Sequence, residues 1–244
     1  VGNDVGANGN GQTFASWNWK ANGQGSSNTE GSINTTYTSA NTTSGFSIIQ
    51  YTGNATASAT IGHGLGKIPT MIIFRRYAQA ENWDVYHQAI GNAKSIRLNE
   101  TGAAFDNATA LTSTTPTSNL ITLGTSVTTN ANGNPMIAYC FADVQGFSKM
   151  GSYIGNGNAD GTFVYTGFKP AFVMTRPSSG VGSWYMLDNK RANPFNVVTG
   201  RLEADGSGTE NTGFTWCDFT SNGFKIRTTE GGINASGVTF IYMA

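Results

Sequence analysis

Two histidines, a handful of carboxylates and one asparagine-rich loop are the residues of this chain that could do chemistry. His63 lies in the glycine-rich stretch GHGLG (62–66) and His87 closes NWDVYH (82–87). Either could serve as a base, but neither is accompanied by a serine in a strained Gly-x-Ser-x-Gly turn or by a cysteine in a reactive setting. A glycosidase would need two carboxylates flanking a bond, and Glu81, Asp84, Glu100, Asp188, Glu203 and Asp205 are available. Most sit in turn-like surroundings, where exposed carboxylates are the norm. The stretch NGNADG (156–161) places Asn156, Asn158 and Asp160 like the opening of a calcium loop. Calcium wants six to eight oxygens and a late bidentate acid, whereas the twelfth position here is Gly167, so a β-hairpin turn is the expected structure. No catalytic residue, metal ligand, cofactor or ligand-binding residue is assigned on these grounds.

Composition narrows the partners. Lysine plus arginine and aspartate plus glutamate both total 14, so there is no basic surplus to bind nucleic acid by counterion release. Charged residues are 11% of the chain against ~25% in ordinary soluble domains, and polarity comes from Asn, Thr and Ser, which suit turns and exposed strand faces. No apolar run is long enough to cross a bilayer as a helix, so membrane insertion is not expected. Cys140 and Cys217 lack the spacing of a zinc or redox motif and are expected as small buried thiols.

The elements that would position these residues repeat. GFSIIQYTG (45–53) answers GFSKMGSYIG (146–155), each reaching Tyr-x-Gly-Asn at Tyr51 and Tyr153. Pro69 then answers Pro170, Trp83 answers Trp184, SIRLNE (95–100) answers TGRLEA (199–204), and the runs ending at Asp143 and Ala244 answer each other. A proline accepted at the first position of a strand predicts strand starts at Pro69 and Pro170. Each unit carries short β-branched and aromatic runs separated by Gly, Asn, Asp or Pro, the pattern of an all-β sandwich or barrel. SIRLN alternates, with Ser95, Arg97 and Asn99 opposed to Ile96 and Leu98, as in a sheet with one wet face.

The expected fold is therefore all-β: two tandem, internally duplicated antiparallel β-sandwich domains of jelly-roll or lectin-like type, over 45–144 and 145–244. At most a single turn of helix is expected. Residues 21–44, with Ile33 and Tyr37 as their only large apolar residues, read as a linker laid along a neighbour. Asp84 aligns with Tyr185, His87 with Asp188, and Glu100 with Ala204. Trp83 and Trp184, at equivalent positions, are expected to pack in cores, while Tyr77 and Phe105 stand outside the repeat.

Together WNWKANG, GFSIIQYTGN, GHGLGKIPTMIIFRR, NWDVYH, AYCFADVQGFSKMGSYIGNGNADGTFVYTGFKPAFVMTR and NASGVTFIYMA resemble a tandem β module of marine phage, including cyanophage, virion proteins. That module follows concanavalin A-like, laminin-G-like lectin domains in chains described as tail fibre or structural proteins. The resemblance implies a virion protein exposed on the exterior, assembled as a homo-oligomer (a trimer for a fibre) with other virion proteins, and contacting host surface glycans. It supplies no active site. An architectural or capsid-decoration module, or a bacterial surface filament, is the alternative, and a glycan-degrading enzyme of lectin-like fold the second.

Residues 9–21 also match the closing strand of both units. Aligning Gly11 with Gly133 and Gly237 sets Phe14 beside Met136 and Phe240, and Trp17 beside Tyr139 and Met243. Residues 1–20 are thus expected to hold the last strand of an upstream domain missing from the sequence, with 12–20 as that strand.

Overall fold

A computed structural model describes Gly2, residues 4–191 and residues 196–244. After a four-residue helix α1 (Val5–Asn8) the first repeat runs β1 (Tyr37–Asn41), β2 (Phe46–Thr52), β3 (Ala59–Gly62), β4 (Pro69–Arg76), β5 (Asp84–His87), β6 (Lys94–Arg97), β7 (Phe105–Asp106), α2 (Ala108–Leu111), β8 (Leu120–Leu123), α3 (Val127–Asn130) and β9 (Pro135–Ala142). The second runs β10 (Met150–Ile154), β11 (Phe163–Tyr165), β12 (Phe172–Pro177), β13 (Tyr185–Asp188), β14 (Arg201–Glu203), β15 (Cys217–Thr220), β16 (Gly223–Ile226), α4 (Gly231–Asn234) and β17 (Thr239–Met243).

The duplication extends to the core topology of the two repeats. The first repeat has a large sheet ordered β1-β2-β9-β4-β5-β6-β7 over a small sheet β3-β8, and the second has β10-β17-β12-β13-β14 over β11-β16-β15. Five strands of each large sheet and two of each small sheet therefore correspond, all paired antiparallel. One apolar core fills each sandwich, around Ile49, Ile61, Phe74 and Ile121 in the first and around Val164, Leu187, Phe224 and Phe240 in the second.

A third core joins them. Met71, Ile73, Val85, Ile96 and Phe141 on the back of the first large sheet meet Met150, Met174, Trp184, Ile241 and Met243 of the second. The molecule thus stacks four sheet layers, small, large, large, small. This is why β4 reads as an unbroken apolar run rather than an alternating one: Ile72 and Phe74 face the first core, Met71 and Ile73 the joint. A strand buried on both faces has no polar side to show.

The Tyr-x-Gly-Asn repeat proves to be an internal clamp. The Tyr51 hydroxyl donates to Thr129 O and that of Tyr153 to Ile233 O, in the helical turns α3 and α4. Each turn ends on a buried asparagine. Asn130 donates to Gly124 O (2.7 Å) and accepts from Asn54 N–H (2.8 Å), while Asn234 donates to Thr228 O (2.7 Å) and accepts from Asn156 N–H (3.0 Å). Gly53 and Gly155 complete the motif, because a Cβ at either would lie 2.7 Å from the carbonyl carbon of that asparagine. One cross-strand pair has diverged in compensation: Ile49 faces Ala138 in the first repeat, and Gly151 faces Tyr242 in the second. A Cβ on Gly151 would sit 2.8 Å from the Tyr242 hydroxyl.

Several expectations need correction. Residues 12–20 form no strand; they pair with no neighbouring strand and meet both repeats through Trp17 and Trp19 side chains, with Lys20 O accepting from Asn41 Nδ2 (3.1 Å). Residues 21–44 are no mere linker, since β1 pairs along the whole of its length with β2 and Ile33 is in the first core. Helical turns number four among the described residues, beside a 3-10 turn at Gln88–Ile90. The loop 156–161 is not a hairpin, because β10 and β11 lie in different sheets. Pro69 opens β4 as expected, but Pro170 stands two residues before β12. The pairing of β5 with β6 and β13 with β14 sets Ile96 beside Leu202, so Leu98, not Glu100, corresponds to Ala204. Ser95 faces no water; it is buried, accepting from Asn107 Nδ2 at 3.0 Å.

Candidate functional site

The tryptophans of the opening segment, rather than the histidines or acids, build the most distinctive surface feature. Trp17 donates its indole N–H to Asp188 Oδ2 (3.1 Å) at the end of β13, and the Arg191 guanidinium lies 5.1 Å above its ring. Arg191 Nε also donates to Asp188 Oδ2 (2.6 Å). Burial alone would raise the Asp188 carboxyl, but the hydrogen bonds from Arg191 and from Lys190 N–H outweigh it and hold its pKa below the usual carboxylate value. Two residues on, Trp19 meets Phe172 of the second repeat (5.7 Å, 84°) and Phe141 of the first (5.8 Å, 77°) edge to face. Phe141 in turn rests on Phe46.

These aromatics line a groove of about 690 Å³ astride the two repeats, with Phe14, Phe147 and Phe168 on its walls and Asn189, Lys190 and Arg191 at one end. Trp19 stays 41% exposed and Phe147 59% exposed. A rigid aromatic floor with charged and amide groups at its rim is the usual make-up of a small-ligand site. Sugar rings suit it, because their C–H faces lie on the electron-rich face of an indole while their hydroxyls reach the polar rim. A second cavity of about 440 Å³, lined by Arg201, Glu203 and residues 208–212, is committed to ion pairs: Arg201 holds Glu203 and Arg191 holds Glu210, each at 2.7 Å.

Most of the residues singled out for chemistry are held by internal bonds; Arg97 draws Asp84 (3.7 Å) and Glu100 (2.7 Å) together, and the buried Asp84 Oδ1 has no hydrogen bond among the described residues. His63 accepts Leu65 N–H on Nδ1 and meets Thr117 O with Nε2 (3.2 Å). Burial lowers its pKa. His87, buried at the joint, accepts Ala89 N–H on Nδ1 (3.2 Å) and meets Tyr242 O of the other repeat with Nε2 (3.1 Å). Asp84 is buried beside Thr128 (2.7 Å), and burial raises its pKa against that bond and the nearby Arg97. Glu81 pairs with Arg76, Glu100 with Arg97, and Asp205 accepts Trp184 N–H.

Asn156 and Asn158 spend their side-chain oxygens on the N–H groups of Asn158 and Asp160, and Asp160 pairs with Lys225. Among the described residues no group of three His, Cys, Asp or Glu could hold a metal ion. Cys140 and Cys217 are free and buried, and burial pushes both thiols up.

The equivalent tryptophans have parted roles. Trp184 is buried, donating to Arg97 O (2.9 Å) with Arg176 stacked on it, whereas Trp83 is half-buried, lying on Tyr139 under Arg75. Tyr77 is exposed and accepts from Gln50; Phe105 lies under Arg97. Sequence reasoning missed the groove, although the Trp-x-Trp spacing that puts Trp17 and Trp19 on one side of an extended chain was its available signal.

Fold and groove define a duplicated, all-β double sandwich with an aromatic cleft at its joint. The chain belongs to the family described as a domain of unknown function, DUF7483, whose model matches residues 1–244. No curated protein and no solved structure matches it.

Proposed function

We propose that this protein is a structural segment of a phage virion, on the outside of a tail fibre or spike, which contacts host-surface glycan through the groove beneath Trp19. The observation that carries the reading is the solvent-facing aromatic floor set against Asn189 and Lys190. The virion setting rests on the sequence resemblance. A neutral surface rich in Asn, Thr and Ser suits weak, repeated contacts that gain by multivalency in a homo-oligomer such as a trimer.

The test is a glycan array probed with the intact protein and with Trp19→Ala. Binding to a defined glycan set by the native protein, lost in the variant at unchanged fold, is the expected result. No binding by the intact oligomer would leave an architectural or decoration module in place of recognition. Release of reducing sugar, abolished by changing an acidic pair, would point instead to a glycan-degrading enzyme.

A further inference from the structure

The two repeats differ in how one side of the sandwich is closed. In the first, residues 31–41 lie across that side and satisfy the edges of both sheets. Ile33 N–H donates to Thr60 O (2.9 Å), and Thr60 N–H donates to Ser32 Oγ (2.8 Å), so the edge of β3 is covered. Gly31 fits there because a Cβ would stand 2.7 Å from Thr60 C. The chain then turns into β1, which pairs with β2 by setting Tyr37 opposite Gln50 and Ser39 opposite Ile48.

Among the described residues the second repeat has no counterpart of this strap, since only residues 143–149 separate β9 from β10. Lys149 and Ala244 exchange both backbone bonds, so by antiparallel alternation residues 150, 152 and 154 turn their N–H and C=O away from β17. Met150 is met by Asp143 and Gln88, and Ile154 O by Thr162. Among the described residues nothing meets Ser152, the counterpart of Gln50. On β11, bonds through Thr162 and Thr166 to β16 turn Phe163 outward, and among the described residues it too has no main-chain partner on that side. It is the counterpart of Thr60.

Side chains flanking the open side have changed in the same sense. Where the first repeat has Thr52, Thr60 and Gly62, the second has Ile154, Phe163 and Tyr165, which are 61%, 45% and 66% exposed. Natural edges are usually blunted by charge, proline or cover. This one bears neither charge nor proline on β10 or β11 and gains apolar surface.

We propose that the open side of the second sandwich, along β10 and β11, is a strand-accepting interface for an extended polypeptide segment of another protein. The first repeat supplies the chemistry of the occupant: a glycine at the β11 edge, an apolar anchor in the place of Ile33, and a short Thr/Ser-rich strand alongside β10. Main-chain bonds to Ser152 and Phe163 would give affinity, and the flanking apolar residues would give register.

The probe is a synthetic peptide of residues 24–42, titrated into the full chain and followed by calorimetry and amide hydrogen exchange. Saturable one-site binding that protects the amides of Ser152 and Phe163 is expected. I154K and F163K, both at exposed positions that keep the fold, should each weaken it at least about tenfold, the loss of one buried apolar side chain. Absence of binding, protection elsewhere, or indifference to both variants would overturn the proposal. Self-association that protects the same amides before peptide is added would also overturn it, in favour of a second copy of this chain.

Discussion

Acid should loosen the joint between the sandwiches through His87. Ala89 N–H donates to Nδ1, so that nitrogen carries no proton, and Nε2 must donate to Tyr242 O. The neutral ring satisfies both repeats; a second proton would break the Ala89 bond and bury a charge. Burial accordingly lowers the imidazole from 6.5 to about 4, against the smaller pull of Tyr242 O and Asp143. A base whose folded value is depressed contributes stability that is whole above the unfolded value and is lost as pH falls to the folded one. At about 1.4 kcal/mol per tenfold proton activity, the loss is about 1 kcal/mol by pH 5.5 and about 3 kcal/mol by pH 4. Asp84, raised by burial, works in the opposite direction, and His63 in the same one, so a control must isolate His87. Urea unfolding of the native chain and of His87→Gln, read by tryptophan fluorescence, supplies it. The difference between the two proteins should shift by about 3 kcal/mol in favour of the variant between pH 7 and pH 4. A difference independent of pH would refute the neutral, joint-spanning histidine.

Two further outcomes follow from the repeat. Arg176 donates to Arg97 O, Glu100 O and Gly102 O, so Arg176→Met leaves three carbonyls of the first repeat short of a charged donor and should cost about 3–5 kcal/mol in urea unfolding. Its counterpart Arg75, half-buried over Trp83, should cost about 1 kcal/mol or less on the same change. Asn130→Ala and Asn234→Ala should each cost about 2–3 kcal/mol and differ from one another by less than about 1 kcal/mol, since they break the same bonds in the two clamps.

The sequence made the all-β class and the duplication readable because the core faces repeat: Tyr51 with Tyr153 and Met136 with Phe240 align by eye and pair alike in space. Flanking backbone carries no such signal. Residues 37–41, Tyr-Thr-Ser-Ala-Asn, form a strand through ladder bonds that any side chain allows, so their polarity disguised β1 as a linker. The opening segment misled in the other direction. Its alternating tryptophans match a strand, yet their partners are Phe172, Phe141 and Asp188 side chains rather than a neighbouring backbone. The groove was illegible for a related reason: its walls come from six stretches of the chain, and only the packing of one large sheet on the other brings them together.

The exchange of Ile49 with Ala138 for Gly151 with Tyr242 carries an evolutionary consequence. A direct exchange of one pair for the other passes through either glycine opposite alanine, a hole, or isoleucine opposite tyrosine, a collision. The repeats accordingly do not accept each other's strands singly: β2 in place of β10 would drive a branched side chain into the Tyr242 ring. A crossover between the halves that separated these partners would set isoleucine against tyrosine or glycine against alanine, and either hybrid core is expected to be less stable than its parents.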